Sequence, residues 1–540
     1  MMDALKDGSP GSPAGIRESM RVLSSGYLHP EANLFQPDMK DRSPINLKAI
    51  AREAMEKYGF EPEFPPAVMR EVNGIKETAI LERKGDVRDL RHLLWSSIDN
   101  FDSEDLDQVE YCEAGKQGDI LVRVAIADVD FFVPLNSETD RHAGHNGTSV
   151  YLGVETFPML PDRLSKGISS LLPGQDRRVM VMEYTVQPDG DVIHGGIYRG
   201  IITNKAKLIY EEVGAWLEGT GPIPPTVSAV PGLEEQIRLQ YEVTRRLRAH
   251  RMKKGALDLE TIEAEPVMKG GTVDALVIQE QNAARQIIEE LMVAANGTMV
   301  HVLGEANVPM IQRIVRVPKH WDGIVETAAE YKFKLPKEPD SKALAKFLDR
   351  RRSADPERFP DLSLTIVKLM GPGEYVSFVP GDTPIGHFAL AVIDYTHSTA
   401  PNRRYVDVIN QRLLKSVLDK TPVPYSPRTL NELAEWMSDR EKASQKAERF
   451  MRKVAAAVLL KDRIGQTFDA IVTGAQEKGT YVRLIDPPAE GRVVEGERGL
   501  RVGQKVVVRL LSTDPPKGFV DFALEGKSSR KGRKLHTSSR

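Results

Sequence analysis

Apolar residues recur at helical spacing in "INLKAIAREAMEKYGF" (45–60), where Leu47, Ile50, Ala51, Ala54 and Met55 share a face and Asn46 or Ser43 can cap the start. "PPAVMREV" follows as a helix opened by proline. The pair suits either a helix-turn-helix or plain helical packing, and no tandem β pattern precedes residue 75. Between 80 and 460 the period changes. "DILVRVAIADVDFFV" (119–133), "RRVMVMEYTVQPDGDVI" and "HGGIYRGIITNKAKLIY" predict strands, whereas "GLEEQIRLQYEVTRRLRAHRMKK", "NAARQIIEELMVAANGTMVHVL", "INQRLLKSVL" and "DREKASQKAERFMRKVAAAVLL" predict long helices. No Gly/Ser/Pro-rich linker cuts this span, so it reads as one large α+β domain. Residues 465–525 hold about five short strands separated by Gly, Asp and Pro turns, the pattern of a small OB barrel. The expected organisation is a multidomain chain: a small, mainly helical N-terminal region (1–80), an α+β body (81–462), a C-terminal β-barrel (463–526) and a basic, disordered tail (527–540).

Composition narrows the classes. A chain of 540 residues supports several domains, and its 41% hydrophobic and 28% charged content is ordinary for a globular protein. A net charge of −3 provides no global basic field, so a nucleic-acid site must be a local groove. Cys112 is the lone cysteine, which excludes an intrachain disulfide and thiolate clusters and suits a reducing compartment. No apolar run reaches membrane-spanning length, and "MMDALKDGSPGSPAG" lacks the blocks of a signal peptide. The expected location is the cytoplasm, with no membrane partner.

Chemistry concentrates in "SSIDNFDSEDLDQVEY" (96–111), where Asp99, Asp102, Asp105 and Asp107 stand beside Glu104. Such a loop between core strands repels itself unless a cation is near. It is no EF-hand: counting from Asp99, the third, fifth and sixth positions are Phe101, Ser103 and Glu104. Asp105 and Asp107, two apart, face one side of an extended segment, and Asp99 can join them. Converging carboxylates make a hard-oxygen site for Mg²⁺ or Mn²⁺. Arg403 and Arg404 in "NRRYVDVINQR" can hold a phosphate, and the basic run 245–254 can track a backbone. Tyr151 and Tyr210 each end a strand-like run and can stack on bases, although lone tyrosines there more often pack.

"IDNFDSEDLDQVEY" resembles the first signature of the RNase II/RNase R exoribonucleases. Further matches follow in order: "VAIADVDFFV", "TSVYLGVETFPMLPDRLSKGISSLLPG", "AKLIYEEVGAWL", "IIEELMVAAN", "HFALAVIDYTHSTAPNRRYVDVINQRLL" and "KAERF". They span about 85–460, the family's RNB nuclease domain, and 465–525 resembles the S1 domain that follows it. The resemblance implies a processive, metal-dependent 3′→5′ exoribonuclease that releases nucleoside 5′-monophosphates from single-stranded RNA, using one or two Mg²⁺ or Mn²⁺ ions, and the expected state is a monomer. It places Asp99, Asp105 and Asp107 on the metal-site aspartates, with Asp105, Asp107 and Arg403 as the catalytic set. Arg403 and Arg404 then face the RNA, Glu448 falls at the channel end, Tyr151 on the aromatic that stacks on the 3′ bases and Tyr210 on another channel tyrosine. No Phe or Tyr in "KKGALDLETI" matches the partner of that stack.

Two departures stand out. Gln108 replaces the fourth aspartate and keeps an oxygen ligand without its charge. The front, about 80 residues of helical pattern, does not resemble the family's paired cold-shock domains. Two other readings stay open: a catalytically weak or inactive RNA-binding relative, and a DNA-binding regulator acting through the N-terminal helices.

Overall fold

A computed structural model describes residues 45–78, 86–260, 262, 264–476 and 479–527. The leader, Ser43 and the tail beyond Lys527 lie outside the described residues. Helices α1 (Leu47–Lys57) and α2 (Pro66–Gly74) form where the helical spacing and the proline predict them. Asn46 is the cap, its side chain accepting from the Ala49 amide at 3.0 Å.

The body is built on a mixed sheet from strands β1 (Val87–Asp89), β2 (Ser96–Asp99), β3 (Gln108–Ala114) and β4 (Ile120–Ala127). Helix α3 (Glu138–Asn146) and a short hairpin of β5 (Val150–Tyr151) and β6 (Thr156–Phe157) interrupt it before β7 (Asp176–Val186), β8 (Val192–Thr203) and β9 (Ala206–Ile209) complete it. The strand order is β1-β8-β7-β4-β3-β2-β9, antiparallel except where β1 meets β8 and β2 meets β9. β4 and β7 are buried on both faces, which is why their sequences run nearly continuously apolar instead of alternating.

Helices α4 (Tyr210–Leu217), α5 (Pro225–Ser228) and α6 (Leu233–Lys254) follow, then the hairpin β10 (Ala264–Lys269)–β11 (Thr272–Ile278) and helix α7 (Ala283–Glu305). α7 lays Ala284, Ile287, Leu291 and Ala295 into the core, and its Leu291 carbonyl accepts from the Tyr184 hydroxyl of β7 at 3.1 Å. The basic end of α6 is neutralised within the protein: Arg246 pairs with Glu242, Arg248 with Asp258 and Arg251 with Glu290. The expected backbone-tracking face therefore loses most of its free charge.

Strand β12 (Met310–Ile314) pairs with strand β13 (Glu374–Phe378), and Met310, Ile311 and Tyr375 from this pair join the main core, whereas helices α8 (Trp321–Glu330), α9 (Ser341–Ala354) and α10 (Phe359–Met370) between them form a separate apolar cluster. Helices α11 (Tyr405–Asp419) and α12 (Pro427–Leu460) close the body. Strands β14 (Thr467–Gln476), β15 (Gly479–Leu484), β16 (Glu490–Glu495), β17 (Lys505–Asp514) and β18 (Phe519–Lys527) form a closed barrel, as the turn spacing predicts. Arg483 anchors the barrel to α10 through Asp361 at 2.9 Å. No helix among the described residues is long and apolar enough to cross a membrane.

α11 is buried on almost every side, polar residues included. The Gln411 side chain donates to the Ala127 carbonyl at the end of β4 (2.7 Å), and Asn410 donates to the His397 carbonyl (2.9 Å). Arg412 donates to Asp130 (2.7 Å), Asp140 (2.6 Å), the Val133 carbonyl (2.8 Å) and the Tyr425 hydroxyl (2.9 Å). This network fixes the loop ahead of α11 against the start of β3. Arg412→Met should therefore leave buried carboxylates uncompensated and lower stability by roughly 3–5 kcal/mol, read by urea unfolding against wild type.

Candidate active site

β2 ends on Asp99, and the chain between β2 and β3 carries Asp105 and Asp107, so the sheet delivers three carboxylates to one edge. Asp99 accepts from the Asn100 amide and the Ser103 hydroxyl, both at 2.7 Å. Asp105 accepts from the Tyr151 hydroxyl at 3.1 Å. Asp107, only 1% exposed, accepts from the Asn402 amide at 2.8 Å and from Arg403 Nε at 3.3 Å. Burial pushes Asp105 upward against the pull of Arg403, and pushes Asp107 up to about 7 despite Arg403 and the Asn402 amide. Burial also opposes the charge of Arg403, but Asp107, Tyr151, Asp99 and Asp105 raise its pKa and keep it cationic.

Asp105, Tyr151, Arg403 and Glu448 line one cavity of about 730 Å³, together with Phe101 and Pro266. The Tyr151 ring is exposed there. Opposite it, β10 brings Pro266 so close to Gly153 that a Cβ on that glycine would stand 2.3 Å from Pro266 Cγ. Glycine at 153, with φ +76°, permits this wall. Glu448 is oriented by the Ser444 hydroxyl at 2.6 Å.

Two expected residues are placed elsewhere. Arg404 does not line the cavity: Asp407, three residues on and fully buried, holds its guanidinium through Nε (2.9 Å) and Nη2 (2.8 Å). The charge expected to meet a phosphate is thus engaged with Asp407 in this structure. Tyr210 opens α4 next to Glu211 of the cavity wall without lining the cavity itself; the Arg285 guanidinium lies 4.4 Å from its ring centroid, and Asp99 and Arg403 act on its hydroxyl. Gln108 begins β3, 5% exposed and in register with Ile126 of β4.

The donor set is chemically suited to a hard divalent cation: three carboxylates and an amide, all oxygen donors. Burial is the main cause of the upward push on Asp105 and Asp107, and it outweighs the pull of Arg403, so a cation here would favour their charged forms. Among the described residues no three His, Cys, Asp or Glu side chains close on a single point, so the donors are gathered but not clasped.

Family models match the RNB domain over residues 87–420 and the RNase II-type exonuclease C-terminal S1 domain over 466–525. The chain belongs to the RNB family of exoribonucleases. Ribonuclease R of Thermotoga maritima is 30% identical over 96% of this chain and 76% of its own length. Ribonuclease R of Escherichia coli is 28% identical over 85% of this chain and 60% of its own. Mycoplasma genitalium RNase R in complex with ribose-methylated single-stranded RNA superposes with a TM-score of 0.80 at 24% identity, covering 89% of this chain and 78% of that one. Yeast Ssd1, a pseudonuclease, superposes with a TM-score of 0.62 at 16% identity over 86% of this chain and 58% of its own. These superpositions carry the RNB fold alone, and the fold accommodates both kinds of protein.

Sequence reasoning missed Asn402, whose contribution is a backbone amide, and Pro266, which lies just beyond the stretch searched for an aromatic. It also passed over Glu110, although the two-residue period of β3 puts it on the face of Gln108.

The position of Asp107 predicts a pH signature in metal-free protein. The native state keeps this proton up to about pH 7, whereas an unfolded aspartate loses it near pH ~3.9. Native protein thus binds more protons between these values, and the contribution to stability falls as pH rises through that window. In EDTA, the unfolding free energy of wild type minus that of Asp107→Asn should decrease from acid to neutral pH and then level, as measured by urea titration.

Proposed function

We propose that the chain is a processive, metal-dependent, hydrolytic 3′→5′ exoribonuclease that acts on single-stranded RNA and releases nucleoside 5′-monophosphates. The observation that carries this is Arg403, paired with the buried Asp107 behind it, at the wall of a cavity that also presents Asp105 and an exposed Tyr151 ring. A dense carboxylate cluster repels phosphate unless a cation offsets it, so a site that combines both is built for a cation as well as RNA. Asp99, Asp105, Asp107 and Gln108 would hold Mg²⁺ or Mn²⁺, which supplies Lewis acidity and makes water nucleophilic near neutral pH.

The chain's own side chains do the rest. Tyr151 offers a face on which the terminal base stacks, next to Asp105. Arg403, half exposed, is free at its outer edge to donate to the scissile phosphate and to favour the charge that grows in the transition state. The Asn402 amide holds Asp107 in place, so the carboxylate can orient water without moving itself. Glu448 closes the far wall, where its charge turns a phosphate back toward Arg403. The barrel would supply a second RNA surface, as OB-type barrels do.

The test is a ladder assay on 5′-labelled single-stranded RNA with Mg²⁺ or Mn²⁺. Progressive shortening from the 3′ end is expected, and RNA binding with no shortening in either metal would instead place the chain with RNB proteins that only bind. Asp107→Asn should abolish turnover with RNA affinity retained. Arg403→Ala should cost roughly 2–4 kcal/mol of transition-state stabilisation in kcat/KM. RNA should be cleaved far faster than a matched DNA oligomer, because several 2′-hydroxyls can be tested along the bound strand; equal rates would contradict this.

A further inference from the structure

Glu110 lies two residues along β3 from Gln108 and therefore on the same face of the sheet. It is fully buried, and neither carboxylate oxygen has a hydrogen-bond partner among the described residues. Its registered neighbours are Ser96 on β2, whose buried hydroxyl also has no partner, and Val124 on β4, itself aligned with Met182 on β7. That row calls for an aliphatic side chain. The charged group that acts on Glu110 is Asp99, another carboxylate, and both act on Tyr210. A buried carboxylate with neither a cation nor a donor is costly, and one retained in a folded protein points to an ion or a function.

We propose that Glu110 supplies, from the next equivalent position of β3, the negative charge that Gln108 lacks, and so completes a divalent-cation site at Asp99 and Gln108. The inference rests on the metal dependence proposed above. Two strand positions span about 6.6–6.8 Å, more than the extra methylene of glutamate recovers, so Glu110 acts on the cation through its charge and through cation-bound water. It is a positioning residue for the metal and touches neither RNA nor the reacting atoms.

Mn²⁺ binding to RNA-free protein, read by loss of the free-ion electron paramagnetic resonance signal, tests this without any turnover. Wild type should bind Mn²⁺, and Asp99→Asn should lose that binding. Glu110→Gln should weaken binding about 10- to 100-fold, the usual range for an outer-sphere partner, while thermal unfolding in EDTA stays at or above the wild-type temperature. Gln108→Asp/Glu110→Gln, which moves the charge to the position of the missing aspartate, should restore near-wild-type affinity. Wild-type affinity in Glu110→Gln overturns the role of Glu110, and a double variant as weak as Glu110→Gln overturns the compensation. Failure of wild type to bind, or binding unchanged by Asp99→Asn, overturns the metal reading and this inference with it. If Glu110→Gln does not fold, Gln108→Asp/Glu110→Val fills the aliphatic row instead: near-wild-type affinity supports the proposal and lost affinity overturns it.

Discussion

A carboxylate taken almost wholly out of water is the constraint around which this protein is arranged. Asp107 remains a usable acid only because two donors reach it from the far end of the catalytic body, the Asn402 amide and Arg403. Neither donor is local, and both sit in a loop with little regular structure. Their placement is inherited from α11, a helix so deeply buried that its own polar side chains must all be satisfied. Gln411 docks it to β4, Arg412 to the segment after β4, and Asn410 to the His397 carbonyl within the loop itself. The stability of that polar network and the geometry of the site are one property seen at two distances.

The electrostatics explain why the arrangement is poised and not settled. Arg403 is surrounded by Asp99, Asp105, Asp107 and the Tyr151 hydroxyl, yet burial still pushes the Asp105 and Asp107 pKa values upward. The pull of one guanidinium is outweighed by the burial of the carboxylates around it. A cation and an RNA phosphate complement the site jointly: the cation relieves the carboxylates, and Arg403, relieved in turn, has a donor edge for the phosphate.

Much of this was legible in the chain. The barrel followed from turn spacing, the buried strands from their apolar runs and the three aspartates from their own spacing, because each is encoded over a few residues. Pairings across hundreds of residues were not: nothing local says that Asp107 meets Asn402 and Arg403. Arg404 looks like its neighbour in the chain, yet Asp407 at the i+3 position already holds its charge. Tyr210 packs under Arg285, a pairing distant in sequence that no local pattern announces. Glu110 escaped notice because an acid in a half-polar strand reads as solvent-facing, and only the tertiary fold shows that both faces of β3 are covered there.

The central claim is that Asp107 stays on the Asn402 amide while Arg403 serves the substrate. The most direct measurement is a structure of the intact protein with Mn²⁺ and an RNA oligomer whose terminal linkage resists hydrolysis. The account predicts the 3′-terminal base against Tyr151, the scissile phosphate on the Arg403 guanidinium, and Asp107 still accepting from the Asn402 amide. RNA held on the barrel alone, with Arg403 turned wholly onto Asp107 and no phosphate in the cavity, would contradict it.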